Sequence, residues 1–238
     1  MIEMNFLKRK SDDMPDRGGK KKKIAPARRR LPSSRDSDEH SEDDRSLSDI
    51  SSKLFSHKPE LISRYNNHIY FQTDVNKNTI SELVTLIREA EEECYLSAFI
   101  MKIPEIPIYL HINSFGGSIF AAFGAIDVIQ ACRVPVHTII EGATASAGTL
   151  MSIVGKKRYI TPNSYMLIHK LSSSYQGKME ELQDEFKNLQ EMTKKIKDLY
   201  IKHSKIPPVE LNKLLKHDLW LNADKCLKHG LVDELWTK

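Results

Sequence analysis

The chain has 238 residues, 40% hydrophobic and 29% charged, an ordinary composition for a soluble protein with one sizeable core and an appendage. No apolar run approaches the roughly 18 residues that span a bilayer, and the opening MIEMNFLKRKSDD reads as neither a secretory signal nor a transit peptide. The net charge of +4 hides an asymmetry: residues 1–35 hold 12 basic and 4 acidic side chains, residues 36–60 hold 3 and 8, and the remainder is near neutral.

Residues 1–46 read as a disordered charged tail, poor in apolar side chains. Its basic runs, Lys20–Lys23 and Arg28–Arg30, have the spacing of a bipartite nuclear-localisation signal or a nucleic-acid-binding arm. The acidic block DSDEHSEDD follows, with Ser41 ahead of three acids as an acidophilic-kinase site, and it carries the charge to mask the basic runs. Residues 47–66 read as an N-terminal helical segment and linker, with Leu47–Phe55 amphipathic, and 67–238 as the folded domain. The three cysteines, Cys94, Cys132 and Cys226, are odd in number and far apart. They suggest neither a disulfide framework nor a zinc site and fit the cytoplasm or another reducing compartment. The histidines do not cluster with acids or cysteines at ligand spacing, so no metal or cofactor is expected.

His68–Val75 (HIYFQTDV) is predicted to be a first strand. Thr79 with Glu82 three residues on predicts a capping box, and Ile80, Leu83, Leu86 and Ile87 predict a helix reaching about Ala98. Ile106–Asn113 (IPIYLHIN) reads as a strand buried on both faces. It runs into Ser114-Phe115-Gly116-Gly117-Ser118 and a helix Ile119–Cys132, whose Ala121, Ala122, Gly124 and Ala125 allow close packing. Strand Val136–Ile140, the small-residue stretch Glu141–Leu150 (EGATASAGTL) and helix Thr149–Val154 repeat the pattern. Strands at Arg158–Ile160 and Met166–Ile168 complete the centre. Two strand–glycine turn–helix units in succession predict right-handed crossovers and an α/β fold, with both turns at one carboxyl edge of the sheet. Lys178–His203 is the longest helical pattern, with an apolar stripe of Met179, Leu182, Phe186, Leu189, Ile196 and Leu199, ended by Pro207 and Pro208. A short helix Val209–Leu215, a helix C-cap at Gly230 and a strand Leu231–Leu235 close the chain.

Ser146 is the candidate nucleophile, because a strand–turn–helix corner lifts a hydroxyl from the sheet and aims the first helix N–H groups beside it. Acyl transfer also needs a base, a group to orient it and oxyanion donors. His169, just past the strand Met166–Ile168, reaches the same sheet edge if that strand is parallel to Val136–Ile140. Asp218 is the candidate orienting acid, with Asp224 and Asp233 as rivals. The glycines at 116–117 allow backbone conformations closed to other residues, so the N–H groups of Gly117 and Ala147 are candidate oxyanion donors.

The runs NSFGGS at 113–118, GATASAG at 142–148, PNSYMLIH at 162–169, HDLWLNA at 217–223 and HGLVD at 229–233 together resemble the Clp protease proteolytic subunit, in its order and nearly its spacing. IYLHIN at 108–113 and HIYFQT at 68–73 resemble the strands that precede its motifs. The resemblance covers roughly residues 67–235. It implies a ClpP/crotonase-like fold of repeated strand–turn–helix units, with Lys178–His203 as a protruding handle helix. It implies a serine endopeptidase with nucleophile Ser146, base His169, acid Asp218 and oxyanion donors Gly117 and Ala147. It also implies a homo-oligomer of stacked rings enclosing a chamber, unfolded polypeptide substrates and an ATP-driven unfoldase as partner.

The chain departs from the family pattern at several points. Phe115 stands where the family has proline, and Thr144 and Ala147 replace alanine and methionine beside the serine. Lys170-Leu171-Ser172-Ser173-Ser174 replaces a proline and paired glycines, Leu219 replaces an arginine beside the acid, and the long charged tail replaces a short axial loop. Two alternatives follow: a non-catalytic assembly subunit, and a crotonase-like acyl-thioester-binding protein, which also uses paired backbone donors but needs no Ser–His–Asp set.

Overall fold

A computed structural model of the chain describes residues 60–237. The expected tail, its basic and acidic runs, Ser41 and the Leu47–Phe55 segment lie outside the described residues. The described part opens with a hairpin, β1 (Ile62–Tyr65) antiparallel to β2 (His68–Phe71). Residues 62–65 are therefore strand, where a helical segment and linker were expected at 47–66. The reason is local. Asn66 takes φ 54, a left-handed turn conformation that Asn tolerates, and the two-residue turn Asn66-Asn67 folds the chain back in register.

Helix α1 (Lys77–Met101) starts three residues earlier and ends three residues later than its apolar pattern predicts. Asn76, not Thr79, is the N-cap: its side chain accepts from the N–H groups of Asn78 and Thr79, and Thr79 Oγ1 accepts from Asn76 N–H in return. Thr79 thus fills the reciprocal place in a capping box shifted by three residues. Ile80, Leu83, Ile87, Ala90, Cys94 and Ala98 form the buried stripe.

β3 (Ile108–Ser114), α2 (Ile119–Ala131), β4 (Val136–Ala145) and α3 (Ala147–Ser152) form the centre. β2, β3 and β4 are mutually parallel, and the sheet order is β1-β2-β3-β4-β5-β8, with β5 at Arg158–Ile160 and β8 at Glu234–Leu235. Alternation gives the sheet two unlike faces. Ile69, Phe71, Leu110 and Ile112 are fully buried in the core cluster with Leu83, Ile87 and Ala90 of α1 and Ala122 and Ile126 of α2. Between them His68, Tyr70, Tyr109, His111 and His137 form a row of ring contacts that continues to Tyr159 and Trp236. Within this row His111 Nδ1 lies 2.7 Å from Glu141 Oε1 and its Nε2 lies 2.9 Å from His68 Nδ1.

β4 is twice the expected length. Its first half, Thr138–Ile140, pairs with β5, and its second half, Ala143–Ala145, pairs in parallel with β6 (Tyr165–Leu167). The fork falls at Gly142 (φ 66), with a register shift against β3 between Ile112 and Ser114. Gly142, Ala143 and Ala145 carry little strand propensity and Thr144 is the one β-branched residue among them, so this half of β4 is held by its neighbours on both sides more than by its own sequence. β7 (Trp220–Asn222) pairs antiparallel with β6.

The long helix is α4 (Met179–His203), as predicted to within one residue. Met192, Ile196, Leu199 and Tyr200 are buried, whereas Met179, Leu182 and Phe186 are exposed, so only its C-terminal half packs on the body. It ends at His203, before the prolines: Pro208 is instead the first residue of α5 (Pro208–Leu214), where its missing N–H costs nothing. α6 (Ala223–Lys228) ends before Gly230 (φ 63), and β8 is shorter than the predicted Leu231–Leu235. No helix among the described residues is long and apolar enough to cross a membrane.

Candidate active site

Ser146 is the single residue between β4 and α3, at φ 56 and ψ −126. That lies outside the left-handed well used by Lys102, and such a conformation costs about 1–3 kcal/mol for a residue with a Cβ. Its surroundings determine it. Ser146 N–H donates to Leu167 O at 2.9 Å, adding one rung beyond the β4–β6 ladder. Ser146 O accepts from Thr149 N–H at 3.0 Å and from Thr149 Oγ1 at 2.6 Å. The side chain is buried, and Oγ makes no hydrogen bond among the described residues.

The glycine turn after β3 lies directly against this corner. A Cβ on Gly116 (φ 96) would meet Ser146 Cβ at 2.6 Å and both Ala145 O and Ala147 N at 2.9 Å. Gly117 (φ 141) is clamped from the other side: Val75 N–H donates to Gly116 O and Ser118 N–H donates to Val75 O, each at 2.7 Å. A Cβ on Gly117 would run into Val75 O. Both positions thus need glycine, for space as well as for dihedral angle. The predicted oxyanion donors sit on the two sides of this contact, Gly117 in the clamped turn and Ala147 as first residue of α3.

β6 runs parallel to β4, so His169, two residues past its end, comes to the same edge as Ser146. The imidazole is nearly buried, and Lys170 N–H donates to Leu215 O at 3.0 Å, fixing the chain just beyond it. His169 Nδ1 lies 3.5 Å from Asp218 Oδ1, the limit of an ion-assisted contact, and the Asp218 side chain is 65% exposed. Burial pulls the His169 pKa below the ordinary histidine value, while the charge and hydrogen bond of Asp218 pull the other way. The imidazole is therefore neutral at neutral pH, the form a general base requires.

The rival acids are elsewhere. Asp233 is tied to Arg158, with Oδ2 accepting from Arg158 N–H and Nε and Oδ1 from the guanidinium. Burial would raise its carboxyl, but the Arg158 hydrogen bonds and charge outweigh that and hold it below the usual range. Asp224 sits exposed in the first turn of α6. Phe115, in the place of the expected proline, meets Trp220 of β7 edge to face at 6.2 Å.

Three residues that support this corner carry no such signal in the sequence: Val75 reads as the end of a strand, Thr149 as a helix residue and Tyr200 as one more residue of the long helix. Tyr200 OH lies 2.5 Å from Thr149 Oγ1 in the buried interior. A tyrosine between Leu199 and Ile201 reads as ordinary helix, and its partner is 51 residues away.

A family model described as Clp protease matches residues 63–238, well over half of the chain. The chain belongs to the Clp protease family. An ATP-dependent Clp protease proteolytic subunit of Deinococcus radiodurans is 30% identical over 134 residues, 56% of this chain and 66% of that protein. An ATP-dependent Clp protease proteolytic subunit 2 of Treponema denticola is 34% identical over 131 residues, 54% of this chain and 66% of that protein. The chain thus spans just under two thirds of the length of either relative. The match to the family model starts at Ser63, inside β1, and so takes in most of the hairpin.

Proposed function

We propose that this Clp protease family member is a serine endopeptidase that cleaves unfolded chains or peptides with Ser146, His169 and Asp218. The observation that carries it is the strained Ser146 corner, set at one sheet edge with the buried His169, the Asp218 carboxylate beside it and the clamped glycine turn. Ser146 Oγ attacks the scissile carbonyl carbon and passes its proton to His169 Nε2. Asp218 accepts from Nδ1–H and stabilises the imidazolium. The N–H groups of Gly117 and Ala147 hold the oxyanion. Collapse of the tetrahedral intermediate breaks the C–N bond, and the amine leaves with the proton from His169. Water, deprotonated by the same imidazole, then releases the acyl group and restores Ser146.

The Ser146 hydroxyl is not hydrogen-bonded within the described residues, so we infer that the Ser146–His169 contact closes on substrate binding or assembly. Stacked rings of this chain, fed by an ATP-driven unfoldase, are part of the same proposal. The exposed Met179, Leu182 and Phe186 on the free half of α4 support its use as an assembly surface.

Labelling by a fluorophosphonate, resolved by size, tests the reading. Label that disappears in Ser146→Ala, together with lost peptide cleavage and unchanged assembly size, is the expected result. Cleavage retained by Ser146→Ala removes Ser146 from the role. A large assembly that never labels points to a non-catalytic subunit instead.

A further inference from the structure

We propose that Tyr200 is a positioning residue for the oxyanion donor at Ala147, acting from the long helix α4 through Thr149. The proposal rests on the reading of Ser146 as nucleophile. It starts from a chain of two hydrogen bonds in the core. Tyr200 OH lies 2.5 Å from Thr149 Oγ1, and Thr149 Oγ1 lies 2.6 Å from Ser146 O. Tyr200 and Thr149 are both almost fully buried, so the pair is shielded from bulk solvent.

The direction of the chain follows from counting hydrogens. A carbonyl oxygen only accepts, so the Thr149 hydroxyl hydrogen points at Ser146 O. Thr149 Oγ1 then has no hydrogen left for Tyr200, and Tyr200 O–H is the donor to it. Burial pushes the Tyr200 phenol well above its ordinary range, so this donor is present at every working pH. Two hydroxyls in series polarise one another, and the bond to Ser146 O is stronger for having Tyr200 behind it.

The peptide plane carries the effect to the site. Ser146 C=O and Ala147 N–H belong to one planar trans unit and point in opposite directions. A rotation about Ser146 ψ swings both together. Pinning Ser146 O at its back therefore aims Ala147 N–H at its front. The pin is needed because Ser146 sits at φ 56 and ψ −126, where intrinsic preference does not hold the plane. α3 has only six residues, too short to hold its own first turn by helix cooperativity. The structure thus fastens a strained plane to α4, an element anchored in the body by Met192, Ile196 and Leu199.

Tyr200→Phe keeps the ring in its cavity and removes only the donor. The expected result is a fall in kcat of about tenfold with KM unchanged, the scale of one net hydrogen bond felt in the transition state. Thr149→Val should act likewise and Thr149→Ser should restore the rate. The double variant Tyr200→Phe/Thr149→Val should be no slower than Thr149→Val alone, since both break one chain. Hydrogen-exchange mass spectrometry supplies a readout that needs no activity: the peptide over Ser146–Leu150 should exchange faster in Tyr200→Phe, while β3 does not. A wild-type kcat in Tyr200→Phe, a loss confined to KM, or additive effects in the double variant would overturn the proposal. If the parent protein shows no Ser146-dependent labelling, it is the reading of Ser146 that fails. Exchange at 146–150 then decides alone whether Tyr200 holds this plane, and no change there overturns it.

Discussion

Gly116→Ala is the sharpest test of how the site is built. The new methyl meets two separate obstacles. The backbone at φ 96 is one that L side chains rarely adopt, which costs about 1–3 kcal/mol. The methyl would also stand 2.6 Å from Ser146 Cβ, against roughly 3.5–4.0 Å for an ordinary carbon contact, so one of the two turns must retreat by about 1 Å. Neither side gives easily: the glycine turn is held by Val75, and Ser146 by Leu167 and Thr149. The summed cost is on the order of 3 kcal/mol, and at about 2–4 °C per kcal/mol for a domain of this size the melting temperature should fall by about 6–12 °C. Hydrolysis should fall further than stability explains, since a displacement of about 1 Å at reacting groups costs roughly 100-fold. Gly124→Ala is the control. It lies in the interior of α2 with nothing near its missing Cβ, so the same substitution should raise stability by about 0.5–1 kcal/mol. Scanning calorimetry and a fluorogenic peptide assay on both variants decide the matter. If Gly116→Ala melts within about 2 °C of the parent and keeps its activity, the close contact between the two turns is not a constraint on the site.

Other perturbations read other parts of the structure. Asn76→Ala removes the acceptor of two N–H groups at the start of α1 and should cost about 1 kcal/mol in denaturant unfolding; no loss would return the cap to Thr79. Asp218→Asn removes what raises the His169 pKa against burial, so the acid limb of kcat/KM should move to lower pH while the rate falls by about 100-fold or more. An acid limb that stays in place would take Asp218 out of contact with the base. Stability should fall on acidification. Burial is the leading cause that holds His68, His137, His169 and His203 below 6.5 in the folded chain. The unfolded chain takes up these protons first. Their contribution is therefore whole above about pH 6.5 and is lost as pH falls through the lower folded values. Urea midpoints at pH 7.5, 6.5 and 5.5, run at constant ionic strength, should decline in that order, and a flat series would refute the assignment.

Much of the centre was legible because periodicity and turn chemistry agreed there. The apolar strands at 108–113 and 136–140, each followed by small residues and a helix, place the two turns at one edge by handedness alone. A parallel strand at 166–168 brings His169 to that same edge. What stayed hidden depended on tertiary partners. The second half of β4 reads as a loop because Gly142, Ala143 and Thr144 owe their strand geometry to β3 and β6. The cap of α1 was placed three residues late because Thr79 and Asn76 are both good caps, and only the geometry separates the giver from the receiver. That Asp233 is tied to Arg158, 75 residues away, is likewise invisible in the sequence around it. The Thr149–Tyr200 bond leaves no trace in either residue's neighbourhood in sequence.

The pairing of β6 with β7 also has a consequence in time. Leu167 faces Trp220 across that ladder, yet the whole of α4 and α5 lies between them in the chain. β3, α2, β4 and α3 follow one another directly and close by short loops, so they can collapse early. The β6–β7 ladder must wait for a long excursion to return, with the larger entropy of closure that a long loop carries. His169 meets Asp218 only when that return is complete. A chain still folding, or still leaving the ribosome, therefore holds Ser146 before Asp218 arrives, and the proposed triad is the last part of the site to come together.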